Sequence, residues 1–419
     1  MSILTRRGVR LPSLKEPAAS RSIEEIADNP RVYIPLSYTG EGQCVLREYA
    51  TVLRGQAVSQ STHPNAPTIP ASVSGVFTGL RTMPHPLFGE LCYAVLDCMV
   101  SVPAPPQEVV RPGSLSASAL LDIARQAAIV DELDGVYLYE KLRRFSTEGC
   151  DLLVGDGVEA EPYASSAWAV LNAHIERVQA GLELAARVVG ADAVQIAVRL
   201  PSGRRRPLQQ RLGDNRLYQV GSRYPVVRYD DHPLGKAIGR IGVQALLALY
   251  RAVAFDEPHI GCVVTVAGTA VATPKNLWVP FGTPIDALFR HCGLSAEPER
   301  VILGDMMTGV AADSLDTPVL PGVTCVLALA EPAGSRTGVC IGCGRCARVC
   351  HAGLLPYEIV RQSENIHYER LAALCVDDCD GCGACSHVCP AGLELTSQVL
   401  EASRSDGTFF LNWGDDDEL

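Results

Sequence analysis

Short apolar runs broken by turn residues fill the first hundred positions. Arg31-Val-Tyr-Ile-Pro-Leu36 and Ala71-Ser-Val-Ser-Gly-Val-Phe77 are typical, and runs rich in Val, Thr, Ser, Gly and Pro predict short strands joined by turns. Four prolines between Val102 and Pro112 predict a linker, because proline has no N–H to give a sheet. The apolar spacing then changes to three and four. Leu120, Leu121, Ile123, Ala124, Ala127 and Ile129 predict a helix over 117–133, capped by Ser114 or Ser116. Asp151-Leu-Leu-Val154 reads as a buried strand, 164–189 as a long helix and 193–200 as a further strand. Such alternation predicts an α/β unit with a parallel sheet. Strand patterns return at Cys262-Val-Val-Thr-Val-Ala267 and Leu277-Trp-Val-Pro280, followed by a turn at Gly282-Thr-Pro284, a helix over 285–292 and a strand over 323–329.

Length and composition make this several domains. The chain has 419 residues, 47% of them hydrophobic, more than one compact core holds. The expected organisation is a β domain over 1–105, an α/β domain over 113–257, an α+β unit over 258–334, a cysteine-rich domain over 335–402 and a tail over 403–419. A net charge of -11 repels phosphate backbones and argues against nucleic acid as a partner. The one basic run, Arg204 to Arg206, sits beside Pro201 and Gly203 and reads as a solvated loop. No window approaches the roughly 20 apolar residues of a membrane span, and the start carries no cleavable apolar leader. The expectation is a cytoplasmic protein without a direct membrane span, which meets a membrane complex only through a partner. The acidic end, Asp415 to Glu418, reads as a solvated terminus.

Sixteen cysteines would suggest disulfides in a small secreted chain, but nine fall between residues 340 and 389. Cys44, Cys92, Cys98, Cys150, Cys262, Cys292 and Cys325 stand singly and read as small buried hydrophobes. Cys340-Ile-Gly-Cys343-Gly-Arg-Cys346-Ala-Arg-Val-Cys350 and Cys379-Asp-Gly-Cys382-Gly-Ala-Cys385-Ser-His-Val-Cys389-Pro390 both have the C-x2-C-x2-C-x3-C spacing of ferredoxin [4Fe-4S] sites. Three close thiolates cap three irons of one cube, and the fourth, carried off on a helical turn, reaches the other. Cys340, Cys343, Cys346 and Cys389 are therefore assigned to one cluster, and Cys379, Cys382, Cys385 and Cys350 to the second. Glycines 342, 344, 381 and 383 suit a loop wrapped around a cube. Zinc usually takes two separated C-x2-C pairs instead. His351 replaces the proline that normally follows the first run, and with the cysteine sets complete, His351 and His387 read as neighbours of the ligands. Cys375 reads as a buried helix residue, and a helical stretch over 366–374 predicts that helices join the two binding loops.

With these motifs last in the order of domains, the chain resembles the RnfC family, the C subunit of the Rnf electron-transport complex, over nearly its whole length. Ala71-Ser-Val-Ser-Gly75 looks like that family's barrel-sandwich hairpin, and Asn276-Leu-Trp-Val-Pro-Phe-Gly-Thr-Pro284 like its soluble-ligand-binding β-grasp (SLBB) domain. Gly304-Asp-Met-Met-Thr-Gly309, Ser314-Leu-Asp-Thr-Pro-Val319 and Leu354-Leu-Pro356 fit as well. The resemblance implies a multidomain α/β and α+β fold: a barrel-sandwich domain, an α/β domain like the flavin-bearing subunit of respiratory complex I, an SLBB domain and a helical dicluster ferredoxin domain.

In that family the α/β domain binds FMN and NADH. Glu159 and Glu161 match the carboxylates that face nicotinamide and flavin. The glycine-rich phosphate loop is here Glu132-Leu-Asp-Gly-Val-Tyr-Leu-Tyr-Glu-Lys141, keeping Gly135 and Lys141, and the Asn-Val-x-Thr segment reads Arg240-Ile-Gly-Val243. Glu132 and Asp134 add bulk and repulsion of roughly 1 kcal/mol or more per close phosphate contact, which argues against bound FMN and NADH. The resulting expectation is an electron-transfer protein serving a partner reductase or a membrane electron-transport complex, like the proline-reductase-associated proteins. The alternatives are an NADH-oxidising subunit with a divergent FMN site, a cobalamin-reductase-like protein, and a scaffold with structural clusters.

Overall fold

The computed structural model describes residues 7–26, 30–38, 42–61, 66–99, 115–213, 216–226, 237–331, 338–365 and 368–405. The expected linker at 102–112 and the acidic end at 415–418 lie outside them. Near the start, strands Gly75–His85 and Gly89–Cys98 form a long hairpin, with Arg31–Pro35 beside its second arm and Thr51–Val52 beside its first. A ribbon of Gly42–Cys44 and Ser59–Ser61 completes this unit. Val32, Ile34, Val52, Val58, Phe77 and Leu96 form its core. Cys44, Cys92 and Cys98 are only half-buried against that core. The first and last end their strands, and Cys92 lies toward the hairpin turn, where the core no longer covers them.

The next unit is a four-stranded parallel sheet in the order Leu217–Gln219, Ala193–Val198, Leu152–Gly157, Ile238–Gly242. Leu152–Gly157 is buried at every position, as a central parallel strand covered on both faces must be. Helix Ala117–Gln126 begins where Ser116 Oγ accepts the Ala119 N–H and stops short of 133, because Ala128 takes a left-handed φ of 51°. Helices Ser166–Val189 and Val243–Phe255 pack in close contact: a Cβ on Gly181 would lie 2.0 Å from the Leu246 carbonyl oxygen. Arg204 to Arg206, expected in a loop, belong to helix Ser202–Leu212. Arg204 stacks on Trp168 with 5.1 Å to the ring centroid and pairs with Glu16 at 2.7 Å. Those distant partners are invisible in the local Pro and Gly signals.

A six-stranded mixed sheet follows, ordered Glu24–Glu25, Lys275–Pro280, Gly261–Ala267, Cys325–Leu329, Arg300–Leu303, Val310–Ala311. Helix Ile285–Cys292 buries Ile285, Leu288, Phe289 and Cys292 against it. The last unit is helical. Arg345–Val349, Pro356–Glu364, Tyr368–Ala373, Ala384–His387 and Leu395–Ser405 surround Ile359, Leu371, Val376, Leu395 and Val399. Helices thus join the two cysteine runs, although residues 366 and 367 of the expected 366–374 stretch are outside the described set. The start of the chain ties this unit to the parallel sheet: the Gly8 N–H donates to the Val349 carbonyl at 2.8 Å, and Val9 bridges to Tyr224.

Candidate functional site

Sixteen thiols are free, with no disulfide among them. Cys340, Cys343, Cys346 and Cys389 line one cavity together with Tyr357 and Leu395. In the second group, Cys350, Cys379 and Cys385 lie close enough to act on one another's charge, and Cys382 acts with Cys385. Cys389, the fourth of the second run, thus lines a cavity with the first run's three, and Cys350 lies near Cys379 and Cys385. Helices Arg345–Val349 and Ala384–His387, which pack against each other, bring the two runs together. Gly342, Gly344, Gly381 and Gly383 have φ of 68°, 64°, 70° and 76°, a conformation in which glycine is unstrained.

Backbone N–H groups point at the sulfurs. Tyr357 serves Cys346, Gly381 serves Cys379, Ala384 serves Cys382 and Ser386 serves Cys385. Burial pushes the Cys379 thiol up to about 11 and Cys382 up to about 12. Burial at Cys379 and Cys382 opposes the thiolate, which a bound cation would favour, and N–H donors to sulfur suit an iron-sulfur cube. The donor set fits two such clusters.

The two loops differ in setting. Cys340 and Cys343 are exposed. The second loop faces inward: Tyr224 Oη lies 2.6 Å from the Cys382 carbonyl oxygen and 3.0 Å from Glu161 Oε1, and a Cβ on Gly383 would lie 3.0 Å from the Met307 carbonyl. His351 Nε2 lies 2.8 Å from Asp380 Oδ2, and Asp380 Oδ1 accepts the Cys382 N–H at 3.2 Å. The one His, Asp and Cys grouping among the described residues that could hold a separate ion, His351, Asp380 and Cys382, thus belongs to the second loop. Cys375, read from sequence as a buried helix residue, is exposed and takes φ 51° after helix Tyr368–Ala373 has ended. The short turn Val376–Asp378 follows it, and Val376 takes the buried position in place of Cys375.

The nucleotide-like residues are distributed differently. Lys141 is buried, with its ammonium 2.5 Å from Asp131 and 2.8 Å from Asp134. Asp131 Oδ1 also accepts the Gly242 N–H at 3.0 Å. Glu132 accepts the Gln244 N–H at 2.7 Å and the Ala245 N–H at 3.0 Å, at the start of helix Val243–Phe255. Its carboxylate presses on Gly242, where a Cβ would meet it at 2.1 Å. Burial, then the neighbouring Asp131, push Glu132 up to about 8 against those two donors. The helix start and the lysine that could receive a mononucleotide phosphate are thus already engaged by this chain's own acids, and these residues do not fit FMN.

Glu159 and Glu161 line a separate cavity at the carboxyl ends of the parallel strands, with Lys15, Trp168, Arg199 and Arg204. Lys141 is not among its lining residues. Glu159 caps helix Ser166–Val189 by accepting the Ala167 N–H at 2.8 Å and the Trp168 N–H at 3.2 Å. Glu161 accepts the Met307 N–H at 2.5 Å and the Thr308 hydroxyl at 2.8 Å. Both carboxylates are held by structure. Sequence reasoning missed Lys15, whose ammonium donates to the Glu159 and Ala164 carbonyls at 3.0 and 2.5 Å; nothing in its local sequence marks it. It also missed Asp305 as a site residue, although Asp305 lies within the Gly304–Gly309 motif. Burial, then Glu161 and Glu159, push Asp305 up to about 7.

The RnfC barrel sandwich hybrid domain family matches residues 4–99, and the 4Fe-4S dicluster domain family matches residues 339–393. The C subunit of the ion-translocating oxidoreductase complex of Yersinia pestis bv. Antiqua (strain Antiqua) is 28% identical over 393 residues, covering 87% of this chain. The chain is similar to RnfC proteins over most of its length. This RnfC-like chain spans 63% of that relative's length and 59% of the Yersinia pseudotuberculosis serotype IB (strain PB1/+) one. The corresponding Rhodobacter capsulatus protein is 26% identical, covering 85% of this chain and 74% of its own. Among solved structures, NAD+-reducing [NiFe]-hydrogenase in the H2-reduced state aligns at 18% identity and a TM-score of 0.46, covering 70% of this chain and 61% of that one.

Proposed function

We propose that this chain passes single electrons through two [4Fe-4S] clusters between protein partners, as part of an Rnf-type complex or beside a reductase. The observation that carries this reading is the crossed gathering of eight thiols, Cys340, Cys343, Cys346 and Cys389 on one side and Cys379, Cys382, Cys385 and Cys350 on the other. When bound, each cluster supplies reversible one-electron storage. The protein's part is to hold the thiolates with N–H donors, to bury Cys346 and Cys385 beneath Ile359, Leu371 and Val376, and to leave Cys340 and Cys343 at the surface. With four thiols in each set, no coordination position is kept open for a substrate.

The proposal assigns no resident flavin and no NADH to the chain, because Asp131 and Glu132 engage the donors that a phosphate would use. We read the six-stranded unit, carrying Asn276–Pro284 as strand and turn, as an SLBB-type β-grasp domain. Among the described residues no helix is long and apolar enough to cross a membrane. The named relatives are subunits of an ion-translocating complex, so we place this chain in the cytoplasm, at the membrane only through partner subunits.

The test is anaerobic purification with iron, sulfide and flavin quantitation and electron paramagnetic resonance, followed by additions of NADH and dithionite. About eight irons per chain, no flavin, and reduction by dithionite alone are expected. Stoichiometric FMN with bleaching by NADH would replace this reading with an NADH-oxidising subunit. Loss of signal with zinc bound instead would end it.

A further inference from the structure

The two cysteine loops carry opposite charge. In the second run Asp377, Asp378 and Asp380 lie beside the thiols, and its loop packs inward on Tyr224 and Met307. In the first run Arg345 and Arg348 are exposed. They line a concavity with His387, Val388 and Pro390, and Cys389 forms part of its wall. Ile341, 70% exposed, lines the adjoining first-run cysteine cavity with Arg345 and Pro390, and Val339, two residues before it, is 86% exposed. Two exposed apolar side chains next to a redox thiol set offer a partner a small dry contact. Such a surface, with a basic flank, sits on a chain whose net charge is -11.

We propose that the face formed by Val339, Ile341, Arg345 and Arg348 docks an acidic one-electron carrier protein. The proposal rests on the cluster reading above and deepens it by naming where the partner binds and with what charge. Charge complementarity selects the partner, because the overall field of the chain repels an acidic protein and only a local basic patch turns that approach into attraction. The apolar pair gives a small dry centre within a charged rim, the pattern of weak, transient redox contacts. One electron crosses per encounter: the carrier gains what this chain loses, or the reverse, and no proton or bond moves.

The experiment uses the anaerobically purified holoprotein, with iron content and the paramagnetic signals recorded first, so that failure to bind clusters is seen separately and sinks both readings. The protein is reduced with dithionite, freed of it, and mixed by stopped flow with hexacyanoferrate(III) or tris(phenanthroline)cobalt(III), which each take one electron and carry opposite charges. The expected result is that the anionic oxidant reacts faster at low salt and slows roughly tenfold as salt rises. Zinc-substituted rubredoxin, small, acidic and redox-inert, should slow the anion further at low salt. Arg345→Glu should reverse the charge preference with iron content unchanged. Since Arg348 Nη1 also donates to the Cys343 carbonyl at 3.2 Å and Arg345 lines the first-run cysteine cavity, each variant is compared only at iron content and paramagnetic signal equal to the natural protein's, and Arg345→Glu/Arg348→Glu should enlarge the effect. Intact clusters whose oxidation follows the overall negative charge, or an unchanged preference in Arg345→Glu, would overturn the docking site while leaving the electron-transfer reading in place.

Discussion

Glu132 holds the start of helix Val243–Phe255 in the way a bound anion would. Its two oxygens accept the Gln244 and Ala245 N–H groups, which have no partner within the helix. Glu132→Ala leaves both donors buried and unsatisfied, and should cost about 2 kcal/mol in urea unfolding followed by tryptophan fluorescence. Inorganic phosphate should restore part of that loss in the variant and do nothing specific for the natural protein. Equal stabilisation of both would mean that the site is open after all. Cys375 calls for the opposite treatment. An exposed thiol outside both ligand sets should react with iodoacetamide in the native holoprotein, and Cys375→Ser should keep all its iron. Loss of iron in that variant would make Cys375 a ligand. At this scale the sequence was a mixed guide. C-x2-C spacing marks candidate ligands because the loop that binds a cube is local, so the gathering of the cysteines could be expected from sequence. The engagement of Lys141 with Asp131 lay ten residues away and could have been weighed, but the partnership of Glu132 with residues 244 and 245 depends on the sheet that brings the two segments together.

The proposed crossing of the fourth cysteines belongs to the elements, because it depends on helices Arg345–Val349 and Ala384–His387 packing against each other. In that arrangement each helix carries a thiol away from its own loop and delivers it to the other. Cys350→Ala should therefore spare the site of its own run and damage the second one, whereas Cys346→Ala should damage the first. Iron content near half, with the two variants retaining different paramagnetic signals, is the expected outcome. The same signal lost in both would show that each run holds its own cluster. Strands Leu152–Gly157 and Ala193–Val198 and helix Ser166–Val189 were legible from period alone, because they are covered by their neighbours and so carry long apolar patterns, whereas Leu217–Gln219, Ile238–Gly242 and helix Val243–Phe255 went unread. Helix Ser202–Leu212 was not legible. It has a proline inside and little apolar content, and it is held through Arg204 on Trp168 and Glu16, and Arg211 on Glu176, contacts that only the folded chain makes.

Across the whole molecule, two histidines sit where units meet, His85 buried and His259 half-buried, and both are held toward the neutral form. His259 Nδ1 accepts the Val130 N–H at 3.2 Å, its backbone N–H donates to the Ala127 carbonyl at 2.8 Å, and its ring meets Phe281 edge-on at 4.8 Å. It thereby joins the end of helix Ala117–Gln126 to the six-stranded unit. His85 Nε2 lies 3.1 Å from the Pro318 carbonyl while Nδ1 accepts the Leu87 N–H at 3.2 Å, which joins the N-terminal hairpin to that same unit. Burial, then Arg251, lower His259 to about 3, and burial lowers His85 to about 4 although Pro318 pulls the other way. In the unfolded chain both titrate near 6.5. Above that value neither state binds the proton and the folded protein keeps its full stability. As pH falls below it, the unfolded chain is protonated first, so stability falls by roughly 1.4 kcal/mol per pH unit for each histidine. The decline ends for each only below its folded value. Unfolding by urea between pH 7 and pH 4 should show this limb in the natural protein and a flatter one in His85→Gln/His259→Gln, with single variants between. If the double variant loses stability as steeply as the natural protein, acid acts elsewhere. If it flattens, the seams between units are where the molecule first comes apart, and the cysteine unit, tied to the parallel sheet through Gly8, Val9 and Tyr224, should outlast them.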